Sequence, residues 1–283
     1  MTADLIYDVG MNNGDDTAYY LHKGFRVVAV EADPVLVAAA RERFAEPIEQ
    51  GRLRLVNCAI GPRDEVADFW ICEDRSVWNS FDRTIASREG RPHHSIPVPC
   101  RRFRGLLDEY GLPYYLKVDI EGHDHYCIED LAPGNLPPYV SMEISDLESL
   151  FALRDLGYTG FKLITQNNHT QLVLDPFSMR QLVKRRLRPY PGLFRLGQRV
   201  SELRNRLLPH PNGSANGVGA AADGAWTFNF GSSGPFAEET DGPWQTLETV
   251  AHTWVTFQLG QSRYGPPTLD VWHDVHATTR HVP

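Results

Sequence analysis

Along the first 165 residues the apolar positions alternate between short β-branched runs and stretches of helical period. That pattern predicts βαβ units, an α/β fold with a mostly parallel sheet and flanking helices. LIYDVG, from Leu5 to Gly10, reads as a buried strand; a Gly-rich turn follows, then a helix from Thr17 to about Lys23 that Gly24 stops. RVVAVEA, from Arg26 to Ala32, predicts the second strand and VLVAAARERFA the helix after it. Arg52–Gly61 predicts a third strand, ADFWICE an extra one, Tyr114–Gly122 a fourth and Tyr139–Ser145 a fifth. The helix LESLFALRDLGY and the strand FKLIT complete this part.

After Thr165 the pattern changes, which places a division there: residues 1–165 as a binding domain and 166–283 as a helical, loop-rich C-terminal extension. Leu193, Leu196, Val200, Leu203 and Leu207 recur at steps of three and four, the stripe of an amphipathic helix flanked by arginines. Residues 210–224 hold turn formers and almost no apolar bulk, and read as a mobile loop. Leu247, Val250, Trp254 and Phe257 predict a second amphipathic helix. The aromatic-rich stretch Gly231–Trp244 fits either a lid over a pocket or a solvated connector.

Composition narrows the classes. The 283 residues are 42% hydrophobic and 23% charged, as in a globular chain, and a net charge of −8 argues against a general nucleic-acid binder. The charge is uneven: between Arg180 and Arg206 nine Lys or Arg face the single acid Glu202. This segment fits a peripheral membrane contact, a clamp for an anionic glycan, a dimer face or a charged helix packed on the domain. Four dispersed cysteines without a CxxC, no signal-peptide pattern and no apolar run near the ~18 residues of a membrane span lead us to expect a cytoplasmic chain with reduced thiols. The sequence leaves the oligomeric state open.

Chemistry concentrates at predicted strand ends. Asp8-Val9-Gly10-Met11-Asn12-Asn13-Gly14-Asp15-Asp16-Thr17 joins a strand to a helix, where glycines admit a ligand and a helix start offers free N–H groups. A dinucleotide fingerprint needs glycine two positions after Gly10, yet Asn12 stands there, which speaks against a nicotinamide oxidoreductase. Glu31 closes the second strand where a carboxylate can accept both ribose hydroxyls, and Asp119 comes at the same sheet edge. Acids at these ends beside a glycine turn favour an adenosine cofactor with a cationic amino-acid tail.

These residues resemble FkbM-type S-adenosylmethionine-dependent methyltransferases over roughly residues 5–165. The likeness is carried by DVGMNNGDDT, VVAVEADP, NCAIG, LKVDIEGHD and SMEIS in this order. The resemblance implies a Rossmann-like class I methyltransferase fold and, mostly, O-methylation of hydroxyls on sugars or secondary metabolites. It implies that Asp8, Gly10, Asn12 and Gly14 surround the methionyl end of S-adenosyl-L-methionine, with Asp16 or Thr17 at the helix start. Glu31 would hold the ribose, and Cys58, Ala59 and Ile60 would form the adenine wall.

A sugar hydroxyl needs a proton acceptor nearby, and Asp119, His123 and Asp124 are the candidates in that order. Asp119 is equally readable as a brace on the cofactor side. Glu121 is read as bracing the turn before Gly122, and Glu143 as either a substrate contact or a core hydrogen-bonding group. Asn79 and Ser80 are candidate contacts to a hydroxylated acceptor, with a plain surface turn as the alternative. His123-Asp124-His125 invites a metal reading, but adjacent residues rarely chelate one ion together, so no metal site is expected. His273 and His276 read as surface or packing histidines. The expected partners are a small-molecule or glycan acceptor and no nucleic acid; N-methylation and a non-catalytic binding module are the alternatives.

Overall fold

The structure is a computed structural model that describes residues 3–173, 226–229, 231–263 and 272–280. The chain forms two compact units: residues 1–172, 228–251 and 271–283 make the first, and 173–227 with 252–270 the second. The expected basic helix at 180–206 and the expected loop at 210–224 lie outside the described residues.

In the first unit the strands are β1 (Leu5–Val9), β2 (Arg26–Glu31), β3 (Leu53–Asn57), β4 (Ala59–Ile60), β5 (Glu65–Cys72), β6 (His93–Arg101), β7 (Tyr115–Val118), β8 (Tyr139–Glu143), β9 (Gly160–Thr165), β10 (Thr170–Gln171) and β11 (His273–Thr278). The helices that matter for the site are α1 (Asp15–His22), α2 (Pro34–Arg43), α3 (Ala45–Glu49), α4 (Arg83–Ala86), α5 (Phe103–Tyr110), α6 (His125–Glu129) and α7 (Leu147–Leu156). A last helix, α8, spans Leu247–Arg263. It buries Leu247, Val250 and Trp254 as its spacing predicts, and Phe257 is half-buried.

Among the described residues eight strands form one sheet in the order β10-β9-β11-β8-β7-β1-β2-β3. Strands β3, β2, β1, β7 and β8 run parallel, whereas β11 enters antiparallel between β8 and β9. Every residue of β1 and β7 is buried, so these strands read as continuous apolar runs rather than alternating ones. Asp8 and Lys117 are the polar exceptions on them. Local signals set the helix starts: Asp33 accepts from Val35 N at 2.8 Å with Pro34 in the first turn of α2, and Asp146 caps α7 through Ser149 N at 3.0 Å.

Three expectations are revised. The strand expected over Arg52–Gly61 breaks at Cys58; β3 stays in the main sheet, while β4 leaves it to pair with β6 in a second, three-stranded sheet. The strand expected to run to Gly122 stops at Val118, because Glu121 and Gly122 take positive φ values of 48° and 88° and turn the chain out of the sheet. The part after 165 is not a separate extension throughout, since β11 lies within the central sheet and pairs Val275 with both Met142 and Leu163. His276 on this strand is buried and pushed down to about 3 by that burial, which makes it a packing histidine, one of the two readings its sequence left open, and not a surface one.

The stretch after Gly231 is packed, not solvated. Phe236 is buried, stacks on Tyr115 at 4.9 Å and meets Tyr20 edge-on at 5.3 Å, in a cluster that also holds Phe25 and Tyr139.

Candidate functional site

The carboxyl ends of β1, β2, β7 and β8 open onto a cavity of about 360 Å³ within the first unit. Ligands in open α/β sheets bind at this edge. The turn after β1 shapes one wall. Gly10 has φ +84°, and a Cβ there would stand 1.8 Å from the Asp119 carbonyl oxygen, so the β1 and β7 ends approach as closely as they do only because the side chain is absent. Gly14, at φ +80°, precedes α1, and its Cβ would meet the Phe44 ring at 2.7 Å. Gly14 therefore shapes the turn without lining the cavity.

Asn12, itself at φ +49°, donates its backbone N–H to Glu31 Oε2 at 2.8 Å, and Asp33 N donates to Glu31 Oε1 at 2.9 Å. These bonds fix the Glu31 carboxylate at the end of β2, facing the cavity. Burial pushes its pKa up to about 7 against the pull of the two N–H groups. Cys58, Ala59 and Ile60 line the far wall with Phe69, and burial pushes the Cys58 thiol up to about 12, leaving it a neutral apolar surface.

Lys117 is the residue that sequence reasoning missed. It is 3% exposed, and its Nζ donates to the Gly10 carbonyl at 2.8 Å while standing 3.2 Å from Asp8, 3.6 Å from Asp119 and 3.9 Å from Asp16. Burial alone would lower its pKa, but the field of Asp8, Asp119 and Asp16 outweighs burial and holds it up, so the lysine stays charged. Asp8 is fully buried behind this ammonium and accepts from Thr17 Oγ1 at 2.6 Å; neither Asp8 nor Thr17 lines the cavity. Asp16 does line it, and burial raises its pKa to about 7. The only signal for Lys117 was a lysine inside the apolar run YYLKVDI between two acid-bearing strand ends.

At the opposite side Asp119, Glu121 and Glu143 bring carboxylate oxygens within 4.8 Å of one another. Burial, then the neighbouring Asp119 and Glu143, push Glu121 up to about 9, with Arg88 3.6 Å away as a weak counterweight. Burial, then Asp119 and Asp124, raise Glu143 to about 7. Glu121 faces the cavity, so its place is in this cluster as well as in the turn. His123 also lines the cavity, edge-on to Phe81 at 5.4 Å, with burial lowering its pKa. Asp124 does not; it accepts from Ile120 N at 3.2 Å, and burial raises it to about 6. His125 packs on Tyr126 at 4.1 Å.

Asn79 and Ser80 act mainly on the chain itself. Asn79 accepts from Cys72 N at 2.9 Å and donates to Asp33 at 3.1 Å, although it reaches the cavity; Ser80 donates to the Glu121 carbonyl at 3.0 Å and does not. Both tie the loop after β5 to the ends of β2 and β7.

A largely parallel sheet of this order with β11 reversed inside it, a glycine turn after its first strand and an acid closing its second is the frame of class I S-adenosylmethionine-dependent methyltransferases. The chain belongs, within that class, to the FkbM methyltransferase family: the model of the methyltransferase FkbM domain matches residues 8–158. Methyl transfer from S-adenosylmethionine is the activity of that family. No curated protein matches the chain. Among solved structures it is similar to the C-terminal domain of precorrin-6Y C5,15-methyltransferase from Rhodobacter capsulatus, at 16% identity over 55% of this chain and 61% of that one, with a TM-score of 0.30. It is also similar to precorrin-6y C5,15-methyltransferase from Geobacter metallireducens, at 14% identity over 58% and 67% with a TM-score of 0.30. A further similarity is to a methyltransferase from Thiobacillus denitrificans in complex with S-adenosyl-L-homocysteine, at 10% identity over 98% and 86% with a TM-score of 0.34. The chain thus spans about three fifths of the length of the first of these. Among the described residues no helix is long and apolar enough to cross a membrane.

Proposed function

We propose that the protein transfers the methyl group of S-adenosylmethionine to a hydroxyl of a glycan or a glycosylated small molecule. The observation that carries this reading is the shared cavity. A fixed, N–H-held Glu31 beside the glycine turn forms one side, and the Asp119, Glu121 and Glu143 carboxylates form the other.

The residues fit the donor. Gly10, whose missing side chain lets the β1 and β7 ends close up, lines the cavity with its backbone, and Glu31 offers a carboxylate to a ribose diol. The flat wall of Cys58, Ala59 and Ile60 suits an adenine ring, and Asp16 suits the ammonium of an amino acid. When bound, the donor supplies an electrophilic methyl on a sulfonium, and every other requirement falls on the chain.

Lys117 pins Asp119 and the glycine turn to one ammonium, which keeps the acid and the donor cradle in fixed register. Asp119 then accepts the hydroxyl proton as the oxygen attacks, with His123 behind it in rank. Glu121, whose raised pKa keeps it protonated at neutral pH, donates to an acceptor oxygen and orients it. Holding acceptor and methyl in line supplies about 7–11 kcal/mol of the barrier. Asp124 serves this arrangement by closing the turn, not by meeting the acceptor.

A second reading is N-methylation, favoured by the same carboxylates, which would hold an ammonium-bearing acceptor. Product analysis separates the two. The test of the donor site is calorimetric titration with S-adenosylhomocysteine: micromolar binding that Glu31→Ala weakens about a hundredfold supports the reading. A folded wild type that does not bind sinks it and returns weight to a binding module without catalysis.

A further inference from the structure

Gly231-Ser232-Ser233-Gly234 lies far outside the matched residues 8–158, yet Gly231 and Ser232 line the donor cavity. The two glycines take φ values of +88° and +80°, so the chain reverses on either side of the serines. The turn is held from several directions. Ser233 N donates to both oxygens of Asp16, at 3.0 and 3.1 Å, and Asn229 Nδ2 donates to Asp15 at 2.8 Å. His169 Nε2 meets the Ser232 carbonyl at 3.0 Å, and its ring occupies the space that a Cβ at Gly234 would need. Phe236 then anchors the chain in the aromatic core against Tyr115.

Within this rigid turn one group is unmatched. Ser232 is 4% exposed, and its hydroxyl has no hydrogen-bond partner among the described residues. A buried hydroxyl without a partner is costly and calls for a reason, and on a residue that lines a cavity a bound ligand supplies one. Its neighbours on the cavity define that ligand. Among the described residues Asp16 accepts from Ser233 N alone and stands 3.9 Å from Lys117, so its carboxylate retains lone pairs for an ammonium, while the Ser232 hydroxyl can donate to a carboxylate. A donor hydroxyl beside an accepting carboxylate is the complement of an α-amino acid.

We propose that Ser232, together with Asp16, binds the amino-acid end of the methyl donor, so that a turn from beyond the family domain completes the donor site. The inference rests on the methyl-transfer reading and adds to it Ser232, a contact from outside the matched residues.

Calorimetry on the full chain with two probes tests it: S-adenosylhomocysteine, and 5′-methylthioadenosine, which keeps the adenosine and the thioether but lacks the amino-acid end. Ser232→Ala is expected to weaken S-adenosylhomocysteine about tenfold or more and to leave 5′-methylthioadenosine within twofold. Ser232→Cys, nearly isosteric and a poor donor, gives the same selective loss and covers the case in which the alanine variant does not fold. Unchanged affinity in both variants, or an equal loss for both probes, overturns the proposal, since the first denies the contact and the second shows a structural role. A wild type that binds neither probe brings down the methyl-transfer reading itself, an outcome distinct from the other two.

Discussion

Lys117 Nζ stands 3.2 Å from Asp8 Oδ1, and neither side chain reaches solvent to any useful extent. The pair joins two adjacent parallel strands at the point where both turn out of the sheet, and the same ammonium also holds the Gly10 carbonyl. Asp8 is therefore held behind the lysine, and its carboxylate does not line the cavity.

Breaking one side of such a buried pair leaves the other charge uncompensated. Lys117→Met is expected to destabilise the fold by about 3–5 kcal/mol, measured as a lower midpoint of urea unfolding. A loss under about 1 kcal/mol would show that Asp8 and Asp119 do not depend on it.

Gly10→Ala puts a methyl group into the Asp119 carbonyl at a backbone angle that alanine disfavours. The β1 and β7 ends must separate, so binding of S-adenosylhomocysteine disappears in any soluble variant. Gly24→Ala is the control: its φ of +89° is equally strained, but no atom lies within 4 Å of its Cβ. Ordinary binding by that variant together with failure of the Gly10 variant isolates the clash from the strain.

The carboxyl cluster makes stability depend on pH with a definite sign. Glu121 sits near 9 in the folded chain against an ordinary 4.5, so the folded form holds a proton that the unfolded form releases as pH rises between those values. Stability is greatest below the lower value and falls as pH climbs. Above pH 7 Glu31, Glu143 and Asp16, each near 7, have mostly released their protons, and the carboxyls still holding one include Glu121 and the buried Asp274, which burial raises well above its ordinary value. Thermal unfolding of the ligand-free protein should show this decline, with a share of at most about 1.4 kcal/mol per pH unit from Glu121, and Glu121→Gln should make the slope shallower by that share. An unchanged slope in that variant would place the titration elsewhere.

Phe236→Ala is expected to cost about 3–5 kcal/mol, because its ring packs against Tyr20, Phe25 and Tyr115. Differential scanning calorimetry reads this directly. A shift no larger than that of a surface substitution would mean that the segment after Gly231 rides on the domain instead of belonging to it.

The parallel strands were legible because buried β-branched runs and glycine stops are local signals, and so were Gly10, Asn12, Glu31 and Asp119, which sit where strand ends meet a turn. Strand β6 escaped notice because Pro97 and Pro99 argue against a central strand; it tolerates them because β4 covers only Cys100 and Arg101 of its outer edge. Lys117 and Ser232 were hidden for another reason. Each takes its meaning from groups far along the chain, Gly10 for the lysine and Asp16 for the turn around Ser232, and no periodicity records such a meeting.

Strand β11 lies between β8 and β9, and Gln166 bonds Asp274 across 108 positions of sequence at 2.7 Å. A ribosome making the chain at about 5–20 residues per second releases β8 and β9 several seconds before the strand that must separate them. During that interval the two strands have neighbouring edges with nothing between, and pairing them directly would shut out β11. Productive folding thus depends on the nascent chain delaying the closure of its own sheet. Slowing translation after residue 165 should raise the yield of a misjoined form more than slowing it before β8.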